Sequence, residues 1–388
     1  MPLGYFTRLI LDGFYSNFTN CHRNNKDPYY DNDLIYVDSF RELLKSSGLL
    51  NNNPYSPKQI FVEFLIHQGF LKAKWCRRIV DLLLEISEPF NYLGSTLQNK
   101  DDILLLSLLA LYRSMGYLKI KLPLSNSSYF EKYKLIYDSF DNSRTQTLGT
   151  SNPIHLFSID LSRFGYPLRI FSSPRCIMSI FIQEQYSYNQ SNFVITPKPG
   201  DTVVDAGGGW GDTCLYFANL VGPNGKVIIF EPFKANVEII KHNIYSNPNI
   251  QTSIRISETA LWENSSELYI EEDRLATGNT ITNNPSKDKR NYLVSSTSLD
   301  YFVEANKIDK VDFIKMDIEG SELFALYGCI NTIRRWKPNL SLSIYHRLDD
   351  ISTIPKFLSN LNLGYKFFLK HSSIHREETV LFASTDRF

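Results

Sequence analysis

Two different rhythms of apolar residues divide this chain. Between residues 58 and 88, Phe61, Phe64, Leu65, Phe70, Leu71, Ile79, Leu82, Leu83 and Ile86 recur at helical spacing, and Pro89 interrupts the pattern. Asp101 and Asp102 predict the cap of a second helix running to Met115, with Gly116 positioned to end it. From about residue 200 the runs become short. Strands are predicted at 202–204, 227–230, 253–256 and 311–316, and Leu340, Leu342 and Ile344 mark a fifth. Helices are predicted at 213–220 and 234–245, the second with Val237, Ile240 and Ile244 on one face. Strands alternating with helices predict a parallel sheet covered on both faces. Two further strands at 365–369 and 379–383 would close it. The polar, turn-rich stretch 141–153 reads as a linker. The expected organisation is therefore a mainly α-helical N-terminal domain over 1–150 and an α/β domain over 151–388.

Composition narrows the picture little. At 388 residues the chain suits two domains, and 43% apolar residues suffice for a full core. Lys plus Arg and Asp plus Glu both number 41, which gives no nucleic-acid footprint. The cluster Lys72, Lys74, Trp75, Arg77 and Arg78 reads as a solvated helix face. Five scattered cysteines form no Cys-x-x-Cys pair, so neither a disulfide framework nor a structural zinc site is expected. The first residues lack a signal-peptide pattern, and the longest apolar run is about half the roughly 20 residues of a membrane span. A soluble, cytoplasmic protein with no membrane span is the expectation.

The densest chemical signal is Val204-Asp205-Ala206-Gly207-Gly208-Gly209-Trp210-Gly211-Asp212, between a predicted strand and helix. Glycines there allow a sharp turn and close approach of a ligand. A dinucleotide fingerprint, Gly-x-Gly-x-x-Gly, fails: its third glycine would fall on Asp212 or Cys214. The spacing that fits is Asp205-x-Gly207-x-x-x-Gly211, a pattern in which no pyrophosphate is held and the methionine part of S-adenosylmethionine lies on the loop. A carboxylate at the loop can hold that ligand's ammonium group. Glu231, in Phe230-Glu231-Pro232, follows the next strand, where a carboxylate can accept both ribose hydroxyls.

With these residues the sequence resembles the FkbM family of methyltransferases. The match runs through Gly200-Asp201-Thr202-Val203-Val204-Asp205-Ala206-Gly207, Trp210-Gly211-Asp212-Thr213, Phe230-Glu231-Pro232 and Ser298-Leu299-Asp300. Its most specific block is Lys315-Met316-Asp317-Ile318-Glu319-Gly320-Ser321-Glu322. Gly208-Gly209-Trp210 departs from the triplet many relatives carry, but keeps the required glycines. The resemblance covers about 155–388 and leaves the N-terminal third outside. It implies a Rossmann-like class I methyltransferase fold, a mostly parallel seven-stranded sheet with an antiparallel last strand. It also implies methyl transfer from S-adenosylmethionine, with S-adenosylhomocysteine as product, to an oxygen of a small molecule such as a sugar or glycan. The implied cofactor residues are Glu184, Tyr186, Asp205, Gly207, Gly209, Trp210, Gly211, Asp212, Glu231, Pro232 and Asp317, with Thr259 and Ala260 beside the adenine.

The transfer chemistry should lie at the carboxyl ends of the fourth and fifth strands. Asp317 ends the fourth, as a helix cap or as the base or orienter of the acceptor. His346 follows the fifth, with the right intrinsic pKa for a base or with a strand-end hydrogen bond; Tyr345 could line the same pocket. Glu319 and Glu322 could shape the site or serve structure, and His371 reads as a loop residue. No compact ligand motif such as His-Glu-x-x-His occurs, so metal-independent transfer is expected. The polar span 273–291 reads as a lid or an insertion. The alternatives are an amine, lipid or protein acceptor, or a non-catalytic binding module. The N-terminal helical region could contact an acceptor, a partner enzyme or a second copy of the chain.

Overall fold

The computed structural model describes residues 88–115, 120–148, 154–271, 280–282 and 291–386. The predicted helix at 58–88 and the basic cluster at 72–78 lie outside the described residues, apart from residue 88. Packing divides the chain into two compact units. One comprises 1–96, 100–125 and 374–376; the other comprises 97–99, 126–373 and 377–388.

In the first unit, helix α1 (Lys100–Met115) has Asp101 and Asp102 in its first turn and Arg113 in its last, as the helix dipole favours. Leu106, Leu109, Ala110, Leu111 and Tyr112 are among its buried hydrophobic residues.

The second unit is built on a seven-stranded sheet. Strands β1 (Asp141–Leu148), β2 (Ile154–Asp160) and β3 (Arg169–Ser172) first form a separate antiparallel sheet, and β4 (Tyr188–Gln190) pairs with β5 (Phe193–Ile195). The stretch read as a linker thus contains a strand: Thr145 and Thr147 pair with Phe157 and His155. Then come β6 (Thr202–Ala206), β7 (Lys226–Phe230) and β8 (Ile254–Ser257), joined by α2 (Asp212–Val221) and α3 (Lys234–Tyr245). Strands β13 (Phe313–Met316), β14 (Asn339–Ser343), β15 (Lys366–His371) and β16 (Thr379–Ser384) complete the sheet. The spatial order is β15-β16-β14-β13-β6-β7-β8, and only β16 runs antiparallel to its neighbours. All residues of β6, β13 and β16 are buried, as strands covered on both faces must be. The expected α/β sheet with its antiparallel last strand is the one observed.

Between β8 and β13 the chain builds a small sheet from β9 (Ala260–Leu261), β10 (Glu267–Glu271), β11 (Thr280–Thr282) and β12 (Asn291–Thr297). Its order is β11-β10-β12-β9, with β9 parallel to β12. Part of the predicted polar span, 280–282 and residue 291, is therefore strand. Helix α4 (Leu299–Ala305) follows, capped by the Ser298 hydroxyl. Among the described residues, no helix is long and apolar enough to cross a membrane.

Candidate active site

Strand β6 lies between β13 and β7, so the chain leaves it at the point where the strand order reverses, and a crevice forms outside the carboxyl ends there. The turn at 207–211 has Gly207, Gly209 and Gly211 at φ of 80, 51 and 90°, in the left-handed region. Two of its glycines face opposite environments. A Cβ at Gly207 would meet the Asp317 carbonyl oxygen at 1.9 Å, whereas one at Gly209 would meet nothing within 4 Å. The turn is thus pressed against β13 on one side and open on the other.

Glu231 leaves β7 beside that open side. Its Oε2 accepts the Gly209 N–H at 3.0 Å and its Oε1 accepts the Phe233 N–H at 2.9 Å. Burial outweighs these bonds and pushes its carboxyl up to about 7. Pro232 follows, half-buried. Trp210 is half-buried, with its carbonyl accepting the Asn243 side-chain N–H at 2.8 Å. Thr259 shares a hydroxyl hydrogen bond with Ser257, and Ala260, buried, opens β9 beyond the end of β8.

Asp205 takes a different position from the one expected at the open loop. It is fully buried, its Oδ2 accepting the Thr213 hydroxyl at 2.6 Å and its Oδ1 lying 2.9 Å from the Lys315 ammonium. Lys315, directly across in register on β13, also donates to the carbonyls of Ala206 at 3.1 Å and Gly207 at 2.6 Å. Burial alone would push the ammonium toward neutrality; Asp205 and Asp317 outweigh it and raise its pKa. Asp212, at the start of α2, is also buried and accepts the Ser172 hydroxyl at 3.2 Å. These two aspartates face the interior, and Lys315, to which the sequence reading gave no role, holds the loop from beneath.

Segment 183–186 is delivered by a buried π-helical turn, Ile177–Ile182, an irregularity frequent near functional sites. Glu184 follows at φ 48° and accepts from the Tyr166 hydroxyl at 3.3 Å, and Tyr186 turns inward. The Tyr186 hydroxyl donates to Asp317 Oδ2 at 2.5 Å. Gln185 donates to the same hydroxyl at 3.1 Å and to Glu378 Oε2, and Glu378 in turn meets Arg175 at 3.0 Å. Gln185, Glu378 and Arg175 were missed by the sequence reading; the partners are some 200 positions apart.

Asp317, Glu319, Glu322, Tyr345 and His346 come together at the ends of β13 and β14. Asp317 Oδ1 accepts the Tyr345 hydroxyl at 3.1 Å and lies 3.2 Å from His346 Nε2. Glu319, at φ 55°, brings Oε2 to 3.3 Å from the same nitrogen. Glu322 is fully buried and accepts from both the Ile318 N–H and His346 Nδ1 at 2.9 Å. Burial disfavours a charged His346, but Glu322, Asp317 and Glu319 outweigh it and push the imidazole up to about 10. Burial also opposes ionisation of Asp317, yet His346, Lys315 and the two tyrosine hydroxyls hold its carboxyl below the ordinary value. His371, by contrast, ends β15, buried against Thr379 with Nδ1 at 2.9 Å from its hydroxyl.

Residues 197–367 match the family model described as the methyltransferase FkbM domain. No curated protein matches the chain. Among solved structures, a methyltransferase FkbM from Methylobacillus flagellatus KT is 17% identical, with 95% of this chain and 87% of that one covered and a TM-score of 0.50. An S-adenosylmethionine-dependent O-methyltransferase from Thermotoga maritima is 15% identical over 49% of this chain and 61% of its own, with a TM-score of 0.30. Aeropyrum pernix fibrillarin with natively bound S-adenosyl-L-methionine is 12% identical over 62% of this chain and 100% of its own, with a TM-score of 0.31.

Proposed function

We propose that this chain, whose residues 197–367 form a methyltransferase FkbM domain in the class I methyltransferase fold, moves the methyl group of S-adenosylmethionine to a hydroxyl oxygen of a sugar or glycosylated metabolite. The observation that carries this reading is the open side of the glycine turn with a buried carboxylate, Glu231, bonded to it. That arrangement fits the cofactor: the turn can take the methionine part, and Glu231 can exchange its backbone donors for the two ribose hydroxyls. Thr259 and Ala260 would flank the adenine, and Glu184 and Tyr186 the methionine end.

S-Adenosylmethionine supplies an activated methyl on a sulfonium, and the carbon–sulfur bonding pair stays on sulfur as S-adenosylhomocysteine forms. The chain's own task is alignment and proton removal. Asp317 is the residue for both: half-buried at the crevice, and oriented by the hydroxyls of Tyr186 and Tyr345. It holds the acceptor hydroxyl and takes its proton. His346 is locked among three carboxylates and serves to orient Asp317. The free thiols of Cys176, Cys214 and Cys329 suit a reducing cytoplasm.

Calorimetric titration with S-adenosylmethionine, S-adenosylhomocysteine and NAD tests the cofactor: the first two should saturate and NAD should not bind. Binding of NAD alone would overturn the reading. Asp317→Asn should retain S-adenosylhomocysteine binding and lose about 10²–10⁴-fold in turnover on a sugar acceptor. Unchanged turnover would remove Asp317 from the reaction.

The carboxyl of Glu231 gives a pH signature. Its ionised form is the one that accepts two hydroxyls, and burial has pushed its pKa up to about 7 in the ligand-free chain. Affinity for S-adenosylhomocysteine should therefore fall as pH drops below 7, approaching tenfold per unit. Glu231→Gln should bind weakly with a flat profile; a native profile flat from pH 5.5 to 8 would contradict the assignment.

A further inference from the structure

Two buried atoms in the cluster at the ends of β13 and β14 have no hydrogen-bond partner: His346 Nε2 and Glu322 Oε2. Both side chains are more than nine-tenths buried, at 8% and 0% exposure. Burying such atoms without a directed hydrogen bond is costly, and a bound ion that completes the set is one physical reason for a native structure to do so. Asp317, Glu322 and His346 each offer one ligand atom, all within 4.8 Å of one another. His346 Nε2 lies 3.2 Å from Asp317 Oδ1 and 3.3 Å from Glu319 Oε2 with no directed hydrogen bond to either. Separations near 3 Å are those between adjacent ligands of one ion coordinated at about 2.1 Å.

We infer that Asp317, Glu322 and His346 form a divalent-cation site, with Glu319 as a third carboxylate on its solvent side. One imidazole with two or three carboxylates is a mixed hard set suited to Mn²⁺ or Mg²⁺ over thiolate-seeking ions. The protein donors come from three separated points of the chain, namely the end of β13, the first turn after it and the end of β14, so no compact sequence motif announces them. That is the reason the sequence reading expected metal independence. A bound cation would keep coordination positions open toward the crevice, where an acceptor with oxygen donors could join it. The inference rests on the methyltransferase reading for that last role, but not for the binding of the ion.

The test is a titration of the full chain with Mn²⁺ followed by electron paramagnetic resonance, with Mg²⁺ and Zn²⁺ as competitors. One saturable Mn²⁺ site is expected, weakened at least tenfold in Asp317→Asn and in His346→Gln and unchanged in Asp349→Asn, whose exposed carboxylate lies outside the cluster. If His346→Gln does not fold, Asp317→Asn carries the test, because it keeps the residue's size. Absence of a saturable site, or a site indifferent to Asp317→Asn, overturns the inference. S-Adenosylhomocysteine binding is measured on the same samples. If that ligand binds and Mn²⁺ does not, the cation site fails alone. If Mn²⁺ binds and that ligand does not, the cofactor reading fails alone.

Discussion

Lys315→Met should lower the stability of the chain by about 3–5 kcal/mol in urea unfolding. The ammonium is 1% exposed and its partner Asp205 is 0% exposed, so the substitution strands a carboxylate in the interior. It also removes the donor from the carbonyls of Ala206 and Gly207. The distinguishing control is Asp205→Leu combined with Lys315→Met. Replacing both charges removes the stranded group, and much of the lost stability should return. A single mutant within about 1 kcal/mol of the native chain would mean the pair is not buried as described. The two acidic residues beside the glycine turn differ in consequence, because Asp205 faces the interior and Glu231 bonds the open side of the turn. Asp205→Ala should act through folding, and Glu231→Gln through ligand affinity.

The second large effect is expected at Gly207. Alanine there needs a backbone at φ 80° and places a methyl 1.9 Å from the Asp317 carbonyl oxygen. The conformational penalty is about 1–3 kcal/mol, and forcing the turn and β13 apart adds about 1–3 more. Gly209→Ala meets no neighbour within 4 Å and should lose only the conformational share. Comparing thermal unfolding of the two variants checks this; equal losses would refute the close approach of the turn to β13. Gly207→Ala should also abolish S-adenosylhomocysteine binding, since Asp317 and the turn share that contact.

The sheet was legible because its strands are covered on both faces. Runs such as Val227-Ile228-Ile229-Phe230 leave no other reading once flanked by turns and helices. The glycine turn and Glu231 were legible because their spacing is local, fixed by one loop-helix-strand unit. Strand Asp141–Leu148 was not, because its threonines alternate with polar residues and are followed by Gly149 and Pro153. The inward position of Asp205 depends on Lys315, a partner 110 positions away, across a strand pair that sequence order does not reveal. One local hint existed: a lysine inside Phe313-Ile314-Lys315-Met316, an otherwise apolar central strand, must find a buried anion. The chain from Arg175 through Glu378 and Gln185 to Tyr186 and Asp317 had no such hint, since each member is unremarkable in its own segment.

The small sheet between β8 and β13 begins and ends at one place, because Ala260 pairs in register with Ser296 and Leu261 with Thr297. Everything between those pairs is a cassette whose two ends are already clamped one strand apart. Glu271 and Asn291 are paired again near its far end. Between those two residues lies β11, which pairs back onto β10, so lengthening that spares this pairing adds loop-closure entropy of about 0.6 kcal/mol per doubling. The chain can therefore change length there without moving Thr259 and Ala260 on one side or Ser298 on the other.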